Sequence, residues 1–124
     1  MDIQGYEKTL QERMGRYRET PRYTTILHGA RTELGLSLVE YCVIDSVHNL
    51  SHRPNNPYCT LSKDDMADFL GVNRATIFRA LKRGFEQGIL EKNNRGDLRT
   101  TEKWILLVVI KKEQMKAQRG KRNS

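Results

Sequence analysis

Between Asn73 and Phe85 the chain interleaves Arg74, Thr76, Arg79, Lys82 and Arg83 with Ile77, Leu81 and Phe85. At helical spacing the apolar residues share one face and the polar ones the other. The two-pronged guanidinium of arginine matches the acceptor pair that guanine presents in the major groove, and a threonine hydroxyl can meet either a donor or an acceptor on a base edge. Arg74, Thr76 and Arg79 are therefore the candidates for base edges. Lys82 and Arg83 suit phosphate oxygens, contacts that fix register and give salt-dependent affinity. Asn73 joins the DNA-binding candidates, since its side chain could read a base too, although its role as helix cap accounts for it sufficiently. This chemistry is recognition of a polyanion.

Such a face needs a support that holds it outward. Ser62 and Asp65 make a capping-box-like start to a short helix, in which Met66, Ala67 and Leu70 share one face. Gly71 supplies the left-handed residue that ends it, and Val72 plugs the corner. Two short helices joined by a tight glycine turn make a helix-turn-helix, with Asn73 opening the second helix, which runs to Gln87. Ser37-Leu38-Val39-Glu40 is a full capping box for an earlier helix reaching about Leu50. Leu36, Val39, Val43, Val47 and Leu50 line one face of it, widened by Leu38, Tyr41 and Cys42, so it should be packed on more than one side. After Gly88, Ile89 to Lys92 reads as a strand, Asn93 to Asp97 as a turn and Leu98 to Thr101 as the returning strand. This hairpin is a wing, and Lys92, Arg95 and Arg99 on it could reach phosphates or a minor groove.

Leu70-Gly71-Val72-Asn73-Arg74, with Thr76-Ile77, Arg79, Leu81-Lys82 and Gly88-Ile89-Leu90, resembles the core of winged helix-turn-helix DNA-binding proteins. The closer likenesses are bacterial regulators of the multiple-antibiotic-resistance type and the DNA-binding domains of phage or plasmid replication initiators. That family usually places a leucine where this chain has Gly84. Either Phe85 rotates inward to fill the gap, or the end of the helix is distorted. The resemblance implies a fold that is mainly α with a small β-sheet, a double-stranded DNA partner and, for the resistance-type regulators, a dimerisation helix that Thr101-Glu102-Lys103 would open.

The remaining chain sets bounds. Its 124 residues suit one domain: a polar N-terminal arm over 1–22, a winged helix-turn-helix domain over 23–110 and a basic, mobile C-terminal tail over 111–124. The 22 basic and 15 acidic residues give a net charge of +7, as a polyanion-binding protein would have. The excess gathers on the second helix and beyond Lys111. The arm reads as solvated, or as touching DNA backbone or a second subunit through Arg13, Arg16, Arg18 and its tyrosines. Tyr23 to Leu27 has strand composition and should pair at the base of the wing. Gly29 to Gly35 reads as a connection that can hold one helical turn, and Ser51 to Cys59, with Pro54 and Pro57, is a long loop. Trp104 to Ile110 fits either a helix or a strand, with the helix slightly favoured, and its apolar run calls for cover by a second subunit.

Cys42 and Cys59 form no Cys-x-x-Cys, and His28, His48 and His52 have no ligand spacing with them, so no metal is expected. No nucleophile motif, phosphate loop or paired-carboxylate pattern is present, and neither an enzymatic activity nor a cofactor is expected. With no signal peptide and no apolar run long enough to span a bilayer, a cytoplasmic protein is expected. The function implied is sequence-specific duplex binding by a homodimer joined through Trp104–Ile110. A transcription regulator is favoured over a replication-initiation component, since an initiator usually needs a further domain to recruit a helicase or loader. A winged helix used for protein–protein assembly is the alternative from another class.

Overall fold

The computed structural model of the chain describes residues 24–122. The elements in order are α1 (His28–Glu33), α2 (Leu38–Asn49), α3 (Lys63–Leu70), α4 (Arg74–Glu86), β1 (Leu90–Lys92) and β2 (Leu98–Thr100). A closing helix follows, made of α5 (Glu102–Trp104), a π-helical segment (Ile105–Val109) and α6 (Ile110–Arg122). The arm over 1–22 and the first residue of the expected strand, Tyr23, lie outside the described residues.

The helix starts are set by local side-chain chemistry. Ser37 and Glu40 exchange their reciprocal bonds, with Ser37 N–H donating to Glu40 Oε1 at 2.8 Å and Glu40 N–H donating to Ser37 Oγ at 3.1 Å. Ser62 caps α3 by accepting from the Asp65 N–H at 3.1 Å. Gly71 ends α3 at φ +69, where a side chain would be strained, and the Val72 N–H returns to the Ala67 carbonyl at 3.0 Å. The chain can then turn sharply into α4.

α2 lies across the back of α4, and α3 packs beside it. Tyr41, Val43, Ile44 and Val47 of α2 are fully buried, as are Ile77 and Ala80 of α4, Ile89, and Trp104 and Val108 of the closing helix. Full burial of a side chain such as Ile77 stabilises by about 1.5–3 kcal/mol. An exposed ion pair contributes about 0–1 kcal/mol. The inner face therefore decides how α4 sits, and its cations follow. Leu38 and Val39, expected in the α2 stripe, are exposed instead, while Leu36 before them and Tyr41 after them are buried.

The hairpin β1–β2 is antiparallel, with Leu90 opposite Thr100, Glu91 opposite Arg99 and Lys92 opposite Leu98. Leu98 is also bridged on its other edge by Cys59, and the Leu98 N–H donates to the Cys59 carbonyl at 3.1 Å. The expected pairing of Tyr23–Leu27 with the wing is thus corrected. Residues 24–27 form no strand, and Cys59 occupies the sheet edge. The Tyr41 hydroxyl, which donates to the Thr25 carbonyl at 3.1 Å and accepts from the Leu27 N–H at 3.3 Å, satisfies that segment instead. The helical turn allowed in the connection after it is present as the six-residue helix α1.

Two polar clusters tie the wing and the closing helix to α2. Thr100, buried at the end of β2, meets His48 Nδ1 at 2.7 Å and His52 Nε2 at 3.0 Å through its hydroxyl. On α6, Lys112 pairs with Asp45 at 3.6 Å and lies over the Tyr41 ring. Burial raises the pKa of Asp45, and Lys112 opposes that rise. Trp104 to Ile110 is helical, resolving the open alternative, and the helix runs on to Arg122 where a mobile tail was expected. Helix, helix-turn-helix, hairpin and closing helix make a winged helix-turn-helix, mainly α with a small β-sheet.

Candidate nucleic-acid interface

The outer side of α4 begins at its cap. Asn73 Oδ1 accepts from both the Thr76 N–H and the Thr76 hydroxyl, each at 2.8 Å. The Thr76 hydroxyl in turn accepts from Arg79 Nη2 at 3.4 Å. Thr76 is thus a bridge between the cap and Arg79, and its hydroxyl holds the guanidinium near the helix start. Arg79 and Lys82 are exposed, and Lys82 has no ion-pair, hydrogen-bond or ring partner among the described residues. Arg74 pairs with Asp64 of α3 at 3.5 Å while both side chains stay largely exposed, a contact weak enough to yield to a phosphate or base.

Arg83 is differently placed. Its Nε donates to the Gly35 carbonyl at 3.2 Å, and its Nη1 pairs with Glu86 at 3.5 Å. This side chain joins α4 to the corner between α1 and α2, so its charge is already partly used within the fold. At the other end of α4, Lys103 Nζ donates to the Gln87 carbonyl at 2.8 Å, placing a cation on the helix C-terminus.

On the wing, Lys92 is exposed, with its ammonium 5.9 Å from the centre of the Phe85 ring. Arg95 is exposed in the turn, where the Asn93 side-chain oxygen accepts from the backbone N–H groups of Arg95 and Asp97, each at 3.0 Å. Arg99 hydrogen-bonds and ion-pairs with Glu91 across the hairpin, and its guanidinium lies 4.6 Å from the centre of the Tyr58 ring. The Glu91 contact raises the pKa of Arg99 above its ordinary value. Arg74, Arg79, Lys82, Lys92 and Arg95 are thus the exposed cations of α4 and the wing, whereas Arg83 and Arg99 brace the scaffold.

No family model and no curated protein matches this chain. Among solved structures, the chain is similar to the crystal structure of MarR, with 17% identity over 99% of this chain and 83% of that chain, at a TM-score of 0.48. It is also similar to the multiple antibiotic-resistance repressor (MarR) from Listeria monocytogenes 4b F2365, with 15% identity over 97% of this chain and 82% of that chain, at a TM-score of 0.49. The winged-helix assignment stands on this chain's own turn, hairpin and helix order.

Two residues of this surface escape a reading based on hydrophobicity. Phe85 does not rotate inward, and α4 is not distorted. The position opposite α2 is held by Gly84, which is buried between Ile44 and Leu90, while Phe85 is 39% exposed. Phe78 is 47% exposed, with the Arg74 guanidinium 5.2 Å from its ring centre. The helical period gives the signal for Phe78: it follows Ile77 by one residue, which rotates it out of the buried face. Among the described residues no group of three or more His, Cys, Asp or Glu could hold a metal, and no helix is long and apolar enough to cross a membrane.

Proposed function

We propose that this protein is a sequence-specific double-stranded DNA-binding protein that acts in transcription regulation. The observation that carries the reading is the arrangement of α4, with Ile77, Ala80 and Leu81 buried on its inner face and Arg74, Arg79 and Lys82 standing on the open side. α4 enters the major groove with its N-terminal half nearest the bases. Arg79, steadied by Thr76, and Arg74, released from Asp64, take base edges, while Asn73 keeps its cap. Lys82, Lys92 and Arg95 contact phosphate. Arg83 and Arg99 add positive potential while holding the corner and the hairpin.

A second copy of the chain completes the binding unit. Trp104 and Val108 are spent on the protein's own core, which narrows the contact expected from Trp104–Ile110 to its outward side. Leu106 is 55% exposed there, and Ile110, one turn on, is 41% exposed on the same side. A dimer would present two copies of α4 to a two-fold symmetric site. Selection of binding sites from random duplex DNA tests both parts. Recovery of a palindromic motif is expected, and recovery of no motif would refute specific recognition.

A further inference from the structure

The open side of α4 carries aromatic surface that the core does not cover, with the exposed Arg74 guanidinium 5.2 Å from the Phe78 ring centre. Phe78 and Phe85 are 47% and 39% exposed, and a spacing of seven residues puts them on one edge of the helix, two turns apart. Lys92 of β1 lies against Phe85, so this edge is the one facing the wing. Phe85 belongs to the last turn and sits beside a cation suited to phosphate. Phe78 belongs to the first half of α4, the part that meets base edges when such a helix lies in a major groove. Ala75, one turn before Phe78, is exposed and presents only a methyl group, so a base edge can approach without obstruction. The apolar spot made by Ala75 and Phe78 lies between Arg74 and Arg79 in sequence, among groups suited to hydrogen-bonding bases.

Among the standard bases, one apolar group projects into the major groove: the 5-methyl of thymine. A phenyl ring there gives no hydrogen bond and discriminates by removing that methyl from water. We propose that Phe78, with Ala75, is a specificity-determining contact for a thymine methyl next to the base pair met by Arg79. The inference rests on the major-groove docking of α4 proposed above. It assigns to Phe78 a selective role that charge alone cannot supply, since phosphate contacts are blind to sequence.

The test uses the full chain and its selected duplex, with each thymine replaced in turn by deoxyuridine, which removes the methyl and keeps the base pair. At one position per half-site the wild type is expected to lose about three- to fivefold in affinity, the worth of one buried methyl group. Phe78→Ala is expected to bind the thymine and uracil duplexes equally, and Phe78→Leu to keep most of the discrimination. Both are exposed substitutions, and circular dichroism checks that they fold. The absence of any position sensitive to uracil, or an unchanged thymine-to-uracil ratio in Phe78→Ala, would overturn the inference. Arg79→Ala separates the two readings. If it still weakens the selected duplex, docking stands and only the methyl contact fails. If neither variant nor wild type distinguishes the selected duplex from random DNA, both fail.

Discussion

Gly84→Ala is a sharp perturbation of the scaffold because two effects of known size oppose each other. Alanine is favoured over glycine in a helix interior by about 1 kcal/mol. At Gly84, however, an added Cβ would lie 2.5 Å from Leu90 Cδ1, 2.7 Å from Ile44 Cδ1 and 2.8 Å from Leu90 Cγ. Carbon atoms pack comfortably at about 3.5–4.0 Å, so each neighbour must retreat by about 1 Å. The Leu90 Cγ is no freely swinging tip, and moving it means changing a buried rotamer or shifting β1. Overpacking of this kind costs about 1–3 kcal/mol, and three contacts this close place the site in the upper part of that range. The substitution is expected to destabilise the protein by about 1–2 kcal/mol net, read as a lower urea midpoint at unchanged slope. In a Leu90→Ala background, where the atoms forming two of the three contacts are gone, the same change should cost less or become favourable. Gly29→Ala in α1, with nothing within 4 Å of the added carbon, is the control and should be neutral or slightly stabilising. A Gly84→Ala midpoint at or above wild type would refute the close approach of α2, α4 and β1.

Other expectations follow from the polar clusters and the open faces. Burial, with help from His52 and Lys112, lowers the pKa of His48 from 6.5 to about 4. The unfolded chain therefore takes up a proton below pH 6.5 that the folded chain refuses until about pH 4, so stability present at neutral pH is lost across that interval. The full shift corresponds to about 3 kcal/mol, and the partial exposure of the ring reduces this to about 1–2 kcal/mol. Urea midpoints of wild type and His48→Asn should converge between pH 7 and pH 4.5, and parallel profiles would contradict the assignment. Asp45, whose raised pKa acts in the opposite sense, is common to both proteins. Leu106→Glu with Ile110→Glu should convert a dimer to a monomer in sedimentation, and a wild-type monomer at the concentrations that bind DNA would remove the proposed interface. Lys82→Ala should lower the slope of log affinity against log salt by about 1 and leave sequence preference intact, whereas altered preference would make Lys82 a base reader.

The helix-turn-helix was legible because its signals act over a few residues: Ser37 with Glu40, Ser62 with Asp65, Gly71 at positive φ and Asn73 at the next cap. The hairpin turn was legible for the same reason. Contacts set by distant residues were not. Thr24 to Leu27 has the composition of a strand, but strand preference depends on the available partner, and Cys59 takes the place beside Leu98. Gly84 looked like a gap in the inner face of α4, yet Ile44 and Leu90 arrive from other elements to close over it. Phe78 and Phe85 show the limit of hydrophobicity as a guide to burial. Composition also could not tell that Arg83 reaches the Gly35 carbonyl or that Arg99 is held by Glu91 and Tyr58. Those partners come from another segment or across the hairpin.

Major-groove docking of α4 is tested most directly by titrating a duplex selected from random DNA with wild type and Arg79→Ala at one fixed salt concentration. The variant should lose about 1–3 kcal/mol, roughly 5- to 150-fold, on the selected duplex and relax its preference at one base pair, with a smaller change on random duplex. Unchanged affinity and unchanged preference in the variant would contradict the docking of α4 in the major groove.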